Sequence, residues 1–211
     1  MEKPNLEKAL DELKSYPEEL GLDLRKKKDR FKWFLASLLF AKRISAEIAK
    51  KTFLEFVKEG LTTPKKLMEA GWNKLVDVLD SDGYVRYDFS TATNILKTIE
   101  ALAREYNGDV DELHERSVDS KDLERKLMKF KGFGPVASNI FLRELRGIWS
   151  KADPEPSKMA VKVAEKLGLE NLVEVKRYES KLVKINLEYC KKRRCRKCPV
   201  KNYCYKGGMC K

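Results

Sequence analysis

Cys190, Cys195, Cys198 and Cys204 form a Cys-x4-Cys-x2-Cys-x5-Cys run, and four thiolates this close in sequence can wrap one soft metal centre without help from distant parts of the chain. Thiolates must do the binding alone. The single histidine, His114, lies seventy-six residues before Cys190 in an acidic stretch, which leaves no neighbouring imidazole for a mixed site. Four cysteines in one short loop suit a four-iron cluster, while a four-thiolate zinc site is the alternative that ligand type leaves open. Disulfides are the third reading. The odd number of cysteines, five, and the absence of a recognisable signal peptide weigh against it. Cys210 is either a free thiol beyond the centre or a replacement for Cys190 in a shifted Cys195, Cys198, Cys204, Cys210 set.

The same stretch concentrates the charge. Of a formal net charge of +12, the segment from Cys190 to Lys211 contributes nine cations and no acid, which leaves only +3 for the first 189 residues. Lys191, Lys192, Arg193, Arg194, Arg196 and Lys197 alternate with the cysteines. Fixing such cations on a metal-clasped loop lowers the entropy lost when they meet phosphates, so the loop reads as a polyanion contact.

A second chemical signal lies upstream, in Leu127-x2-Phe130-x-Gly132-Phe133-Gly134-Pro135-Val136-Ala137-Ser138-x-Ile140. Two glycines bracket one apolar residue at a turn between amphipathic segments. Glycine supplies the positive φ of a tight hairpin, and the missing side chains let a phosphate approach the amides at the start of the second helix, where the dipole favours an anion. Phe133 can tuck between the helices while small Ala137 and Ser138 allow them to approach. An ordinary helical hairpin with a glycine cap is the plainer reading of Gly-x-Gly taken alone.

The elements that must position these residues read almost entirely as helix. An apolar stripe through Phe34, Leu35, Leu38, Leu39 and Ala41 resumes after Lys42-Arg43 at Ile44, Ile48, Ala49, Phe53, Phe56 and Val57. Thr63-Pro64 caps a third element that runs to Ala70, and Asn73–Leu79 is a short fourth. Ser90–Tyr106 is a longer helix stopped by Asn107-Gly108. Lys121–Phe130 and Val136–Leu145 flank the glycine turn, and helices at about 158–167 and 176–189 precede the cysteine loop. No segment alternates as a strand would, so the fold class is all-α. No apolar run is long enough to cross a membrane, which argues for a soluble intracellular protein. Charged residues make up 37% of the chain, with heavy Lys and Glu usage of the kind seen in thermophiles.

In the order of these elements, the glycine hairpin and the terminal cysteines, the chain resembles the helix–hairpin–helix DNA glycosylase superfamily, in its endonuclease III-like branch with a C-terminal [4Fe-4S] loop. The resemblance covers about residues 30 to 204 and rests on FLASLLFAKRISAEIA, TATNILKTIEALAREYNGDV, LMKFKGFGPVASNIFL and the cysteine loop. It implies a two-lobed helical fold. Residues 1–29 would complete the cluster lobe, 30–145 would carry the hairpin at about 121–145, and 146–211 would hold the C-terminal helices and the loop at 190–204.

The resemblance also implies site residues, with three departures. The branch's Schiff-base lysine lies two residues after the second hairpin glycine, where this chain has Val136; Lys131 and Lys158 are the nearest substitutes. Its catalytic aspartate opens the helix after the hairpin, and here counting forward reaches Asp153 while counting back reaches Ser157, with Pro154-Glu155-Pro156 between them. A helix lengthened by one turn and begun at Asp153 would keep the carboxylate in place. Glu155 could supply the charge instead. The first cysteine gap is four residues, two shorter than the branch usually has. Lys42 falls where such proteins fill the space left by an extruded nucleotide, and Tyr84, Arg86 and Tyr87 lie in a loop that could touch bases. Trp33, Trp72 and Trp149 are expected in the core.

The implied activity is DNA base-excision repair on duplexes carrying a damaged base or abasic site. It would be carried out by a monomer in a prokaryotic cytoplasm. Gly132, Phe133, Gly134, Val136, Lys42, Arg193, Arg194, Arg196 and Lys197 would bind DNA, and Asp153, Lys131 or Lys158 would act on it. Two alternatives remain: a catalytically silent DNA-binding protein on the same scaffold, and an RNA-binding module with a zinc knuckle.

Overall fold

The structure is a computed structural model that describes residues 3–81 and 83–205. Cys210 lies outside the described residues. The chain divides into a continuous unit, Leu20–Pro154, and a discontinuous one that joins Met1–Glu19 to Glu155–Lys211. The sequence placed these boundaries at 29/30 and 145/146. Among the described residues there is no strand, and the all-α class holds.

In chain order the helices are α1 (Lys3–Asp11), α2 (Tyr16–Glu19), α3 (Lys27–Phe40), α4 (Ala46–Lys58), α5 (Pro64–Asp80) and α6 (Asp88–Tyr106). They are followed by α7 (Val110–Glu115), α8 (Ser120–Met128), α9 (Pro135–Arg143), α10 (Lys158–Leu167) and α11 (Leu172–Ile185).

In the continuous unit, every residue of α3 from Trp33 to Leu39 is buried, so that stretch must be covered on every side. It touches α4, α6, α7 and α9. The starts of its neighbours carry local signals. Ser45 caps α4 by accepting the Ile48 N–H, Thr63 caps α5 by accepting the Lys66 N–H with Pro64 at the first turn, and Asp119 caps α8 through Asp122 N–H. Gly71 breaks α5 in two with φ 70°, which is why the sequence reads as two short elements there. Asn107, at φ 53°, ends α6 in the left-handed region. Helix α7 escapes a periodicity reading because it is only six residues long. Its anchor is electrostatic: Arg30 of α3 grips Asp111 with Nε and Nη2, each at 2.6 Å, and spends Nη1 on the Leu24 and Arg25 carbonyls.

The discontinuous unit has its own core, in which Leu6 and Leu10 of α1 meet Val163, Ala164 and Leu167 of α10 and Leu182 and Val183 of α11. Two lysines of α11 tie the N-terminal segment in place. Lys181 donates to the Leu13 carbonyl and to Glu18, and Lys184 donates to the Lys14 carbonyl and to Glu19. Burial opposes ionisation of Glu18, yet the Lys181 ammonium and the Ser15 donors outweigh it and hold the carboxyl down at about 2.

Candidate functional site

The hairpin is built on an aromatic wedge. Phe133 leaves 1% of its surface exposed, stacks on Phe34 at a centroid distance of 4.5 Å, and meets Phe141 edge-on at 6.3 Å. Its ring therefore tucks between the helices, as the sequence leads one to expect, and its side chain is not free to touch DNA. Helix α6 holds the turn from the other side, where Thr98 Oγ1 donates to the Lys131 carbonyl at 2.7 Å.

The two glycines do different jobs. Gly132 has φ 92°, and a Cβ there would come within 3.1 Å of Asn94, so the fold itself requires glycine. Gly134 has φ −84° and caps α9, and a Cβ there would meet nothing within 4 Å. Open space lies over it. Beyond Pro135, which has no N–H, Val136 is 58% exposed at the first turn of α9, while Ala137 and Ser138 are buried. This end of α9 has no side-chain cap, which leaves its amides to an outside acceptor. Gly134→Ala is accordingly expected to change unfolding free energy by no more than about 0.5 kcal/mol. Gly132→Ala should cost about 1–3 kcal/mol. Urea titration of the two variants checks the contrast.

Asp153 lies in a segment without regular secondary structure, 152–157, and α10 begins only at Lys158. The expected extra turn starting at Asp153 is absent, because Pro154 and Pro156 bias the residues before them away from helix. Arg146 holds the carboxylate instead, with Nε 3.5 Å from Oδ1 and Nη2 on the Pro154 carbonyl. Ser157 takes the capping position of α10, accepting the Ala160 N–H at 3.4 Å. Its own N–H donates to Glu179 Oε1 at 2.8 Å. Glu179 is 0% exposed, and the sequence reading missed it. The available signal was an acid on the apolar stripe of α11, beside Val175, Tyr178 and Leu182. Lys131 and Lys158 are both exposed on the surface.

Tyr84 is fully buried and donates its hydroxyl to the Leu39 carbonyl at 3.2 Å, with burial raising its pKa, so it braces the fold rather than reaching for a base. Arg86 and half-buried Lys42 lie over the Tyr87 ring at 5.5 and 6.0 Å. Trp33 and Trp149 are core residues as expected, whereas Trp72 is exposed.

At the end of α11 the helix widens by one residue. Lys191 N–H reaches the Asn186 carbonyl at 2.8 Å across a single π turn, Asn186–Cys190, and Arg193 follows at φ 53° to reverse the chain. That reversal brings Cys190, Cys195, Cys198 and Cys204 to the wall of one cavity of about 580 Å³, together with Val163, Lys166 and Ile185. Cys198 and Val200 pack into the core of the unit. The far end is pinned where Tyr205 N–H donates to the Lys166 carbonyl at 2.9 Å.

Burial pushes the thiols of Cys190 and Cys198 up, and the neighbouring cysteines add to the effect. Cys190, Cys198 and Cys204 are free thiols. Among the described residues no group of three or more His, Cys, Asp or Glu is gathered tightly enough to hold a single metal ion. Lys191, Lys192, Arg193, Arg194, Arg196 and Lys197 are all exposed.

No protein-family model and no curated protein matches the chain. Among solved structures, it is similar to a trapped covalent intermediate of endonuclease III with DNA, an estranged-adenine complex. The TM-score is 0.50 and the identity 19%, over 98% of this chain and 97% of that one. An all-helical chain with a glycine-turned hairpin and a terminal cysteine loop thus has the endonuclease III-like fold.

Proposed function

We propose that this protein binds double-stranded DNA at a damaged base or abasic site and acts there as a base-excision repair enzyme, by N-glycosidic cleavage, abasic-site cleavage or both. The observation that carries this reading is the vacant space over Gly134 and the uncapped amides of α9, in a fold like that of a protein solved in covalent complex with DNA. Backbone donors at a helix start receive a phosphate without reading sequence, which suits an enzyme that must scan DNA. The cations at Arg193, Arg194, Arg196 and Lys197 add the salt-dependent attraction. We place the protein in the cytoplasm as a monomer.

Four cysteines line one cavity, and four thiolates from one short loop suit a four-iron cluster. Cys190, Cys195, Cys198 and Cys204 would hold a [4Fe-4S] cluster. The cluster would clasp the basic loop.

Within the chain, Asp153 is the carboxylate proposed to stabilise positive charge on the sugar and to orient the attacking water or amine. Arg146 positions it. Val136 offers no amine, so a Schiff base, if formed, falls to Lys131 or Lys158.

A panel of duplexes bearing uracil, thymine glycol, 8-oxoguanine, mismatched thymine or an abasic site, with and without borohydride, tests the reading. Product on at least one lesion is expected, with Asp153→Asn slowing it by about 10²- to 10⁴-fold at unchanged affinity. A borohydride adduct lost in Lys131→Ala or Lys158→Ala assigns the amine. The second reading, a silent DNA-binding protein, draws on Ser157 standing as the cap of α10, where endonuclease III-like proteins are expected to carry an aspartate. It gains if no lesion is cut and Asp153→Asn binds as the parent does.

A further inference from the structure

Two of the three tryptophans are buried, but Trp72 leaves 40% of its surface in solvent, and Phe89 beside it leaves 60%. They form a pair at 5.4 Å with their planes tilted 31°. The pair is held still. Trp72 follows the break at Gly71, its indole N–H donates to Thr93 Oγ1 at 3.0 Å, and the Thr93 hydroxyl donates to the Phe89 carbonyl at 2.9 Å. With the polar edge of the indole satisfied inside the protein, the outward faces have only apolar area to offer. Large exposed aromatics without a covering partner mark interaction sites more often than chance placement does.

Two cations, Arg86 and Lys42, lie over the ring of Tyr87, two residues before Phe89, and neither forms an ion pair among the described residues. Burial pushes the Lys42 ammonium down. Fixed rings next to uncommitted cations are the recurring make-up of surfaces that stack bases and follow a phosphate backbone. An apolar peptide would use the rings but not the cations, and an acidic peptide the reverse.

We infer that Trp72 and Phe89 form a ledge on which an unpaired nucleobase of bound DNA stacks, with Arg86 and Lys42 meeting the adjoining phosphates. This rests on the DNA-binding reading above and adds a contact separate from the hairpin. It gives the protein a preference for duplexes in which one base has left the helix.

The test compares a fully paired duplex with the same duplex carrying one bulged thymine, using the parent, Trp72→Phe, Trp72→Ala, Phe89→Ala and Gly134→Ala. Because Trp33 and Trp149 are buried, quenching of tryptophan emission by the bulged duplex should come from Trp72 and vanish in Trp72→Phe. Trp72→Ala and Phe89→Ala should weaken binding of the bulged duplex about tenfold and leave the paired duplex unchanged. Gly134→Ala should weaken both alike. Equal loss on both duplexes in the ledge variants, or bulge binding with no quenching, overturns the ledge while Gly134-dependent binding still stands for the hairpin. Failure of the parent to bind either duplex overturns both readings.

Discussion

Phe133→Ala is expected to destabilise the continuous unit by about 3–5 kcal/mol, the range for truncating a fully enclosed aromatic side chain. The cost should sit at the upper end because the ring serves four partners: Phe34 stacks on it, Phe130 and Phe141 meet it edge-on, and the turn Gly132–Gly134 hangs from it. Removing it leaves a void between α3 and the hairpin that rigid neighbours cannot close. Phe133→Leu should restore most of the loss, since it refills volume without restoring the stack. Denaturant unfolding followed by circular dichroism reads both values. A loss below about 1 kcal/mol for the alanine variant would show that the hairpin is held by its helices and not by this ring.

Anaerobic, reduced preparations of the parent should be brown, contain iron and absorb near about 400 nm, whereas zinc would leave them colourless. Cys198→Ser should lose iron and colour together. It should also melt earlier, because Cys198 belongs to the core of the discontinuous unit and metal binding adds directly to folding free energy there. Iron content and a thermal scan separate the two effects. Zinc or no metal in the reduced parent would remove the cluster from the proposal and leave the loop as a basic clasp without iron.

The parts legible in the sequence are those set by local chemistry. Thr63-Pro64, Asn107-Gly108 and the glycine pair mark helix ends because caps and positive φ act over a few residues, and the structure places all three at helix ends. The parts that escaped depend on partners far away in sequence. Arg30 finds Asp111 across the unit and anchors α7, which is too short to leave a periodic trace, and Glu179 meets Ser157 from another helix. Trp72 misled for a related reason: its composition says core, yet Thr93 satisfies it at the surface. The stretch at about 158–167 was legible as α10, and only the added turn from Asp153 failed to form, because Pro156 biases the residue before it away from helix.

The discontinuous unit draws its inner face from both ends of the chain, with Leu20–Pro154 in between. On the ribosome α1 therefore emerges long before α10 and α11 exist to receive it, while the continuous unit can fold as soon as Pro154 has left the tunnel. Synthesis thus orders assembly: the hairpin half matures first, and the cysteine half closes around its early helix only once α10 and α11 have emerged. Until then, Leu6 and Leu10 travel with their apolar sides uncovered, a window in which a chaperone has reason to hold them.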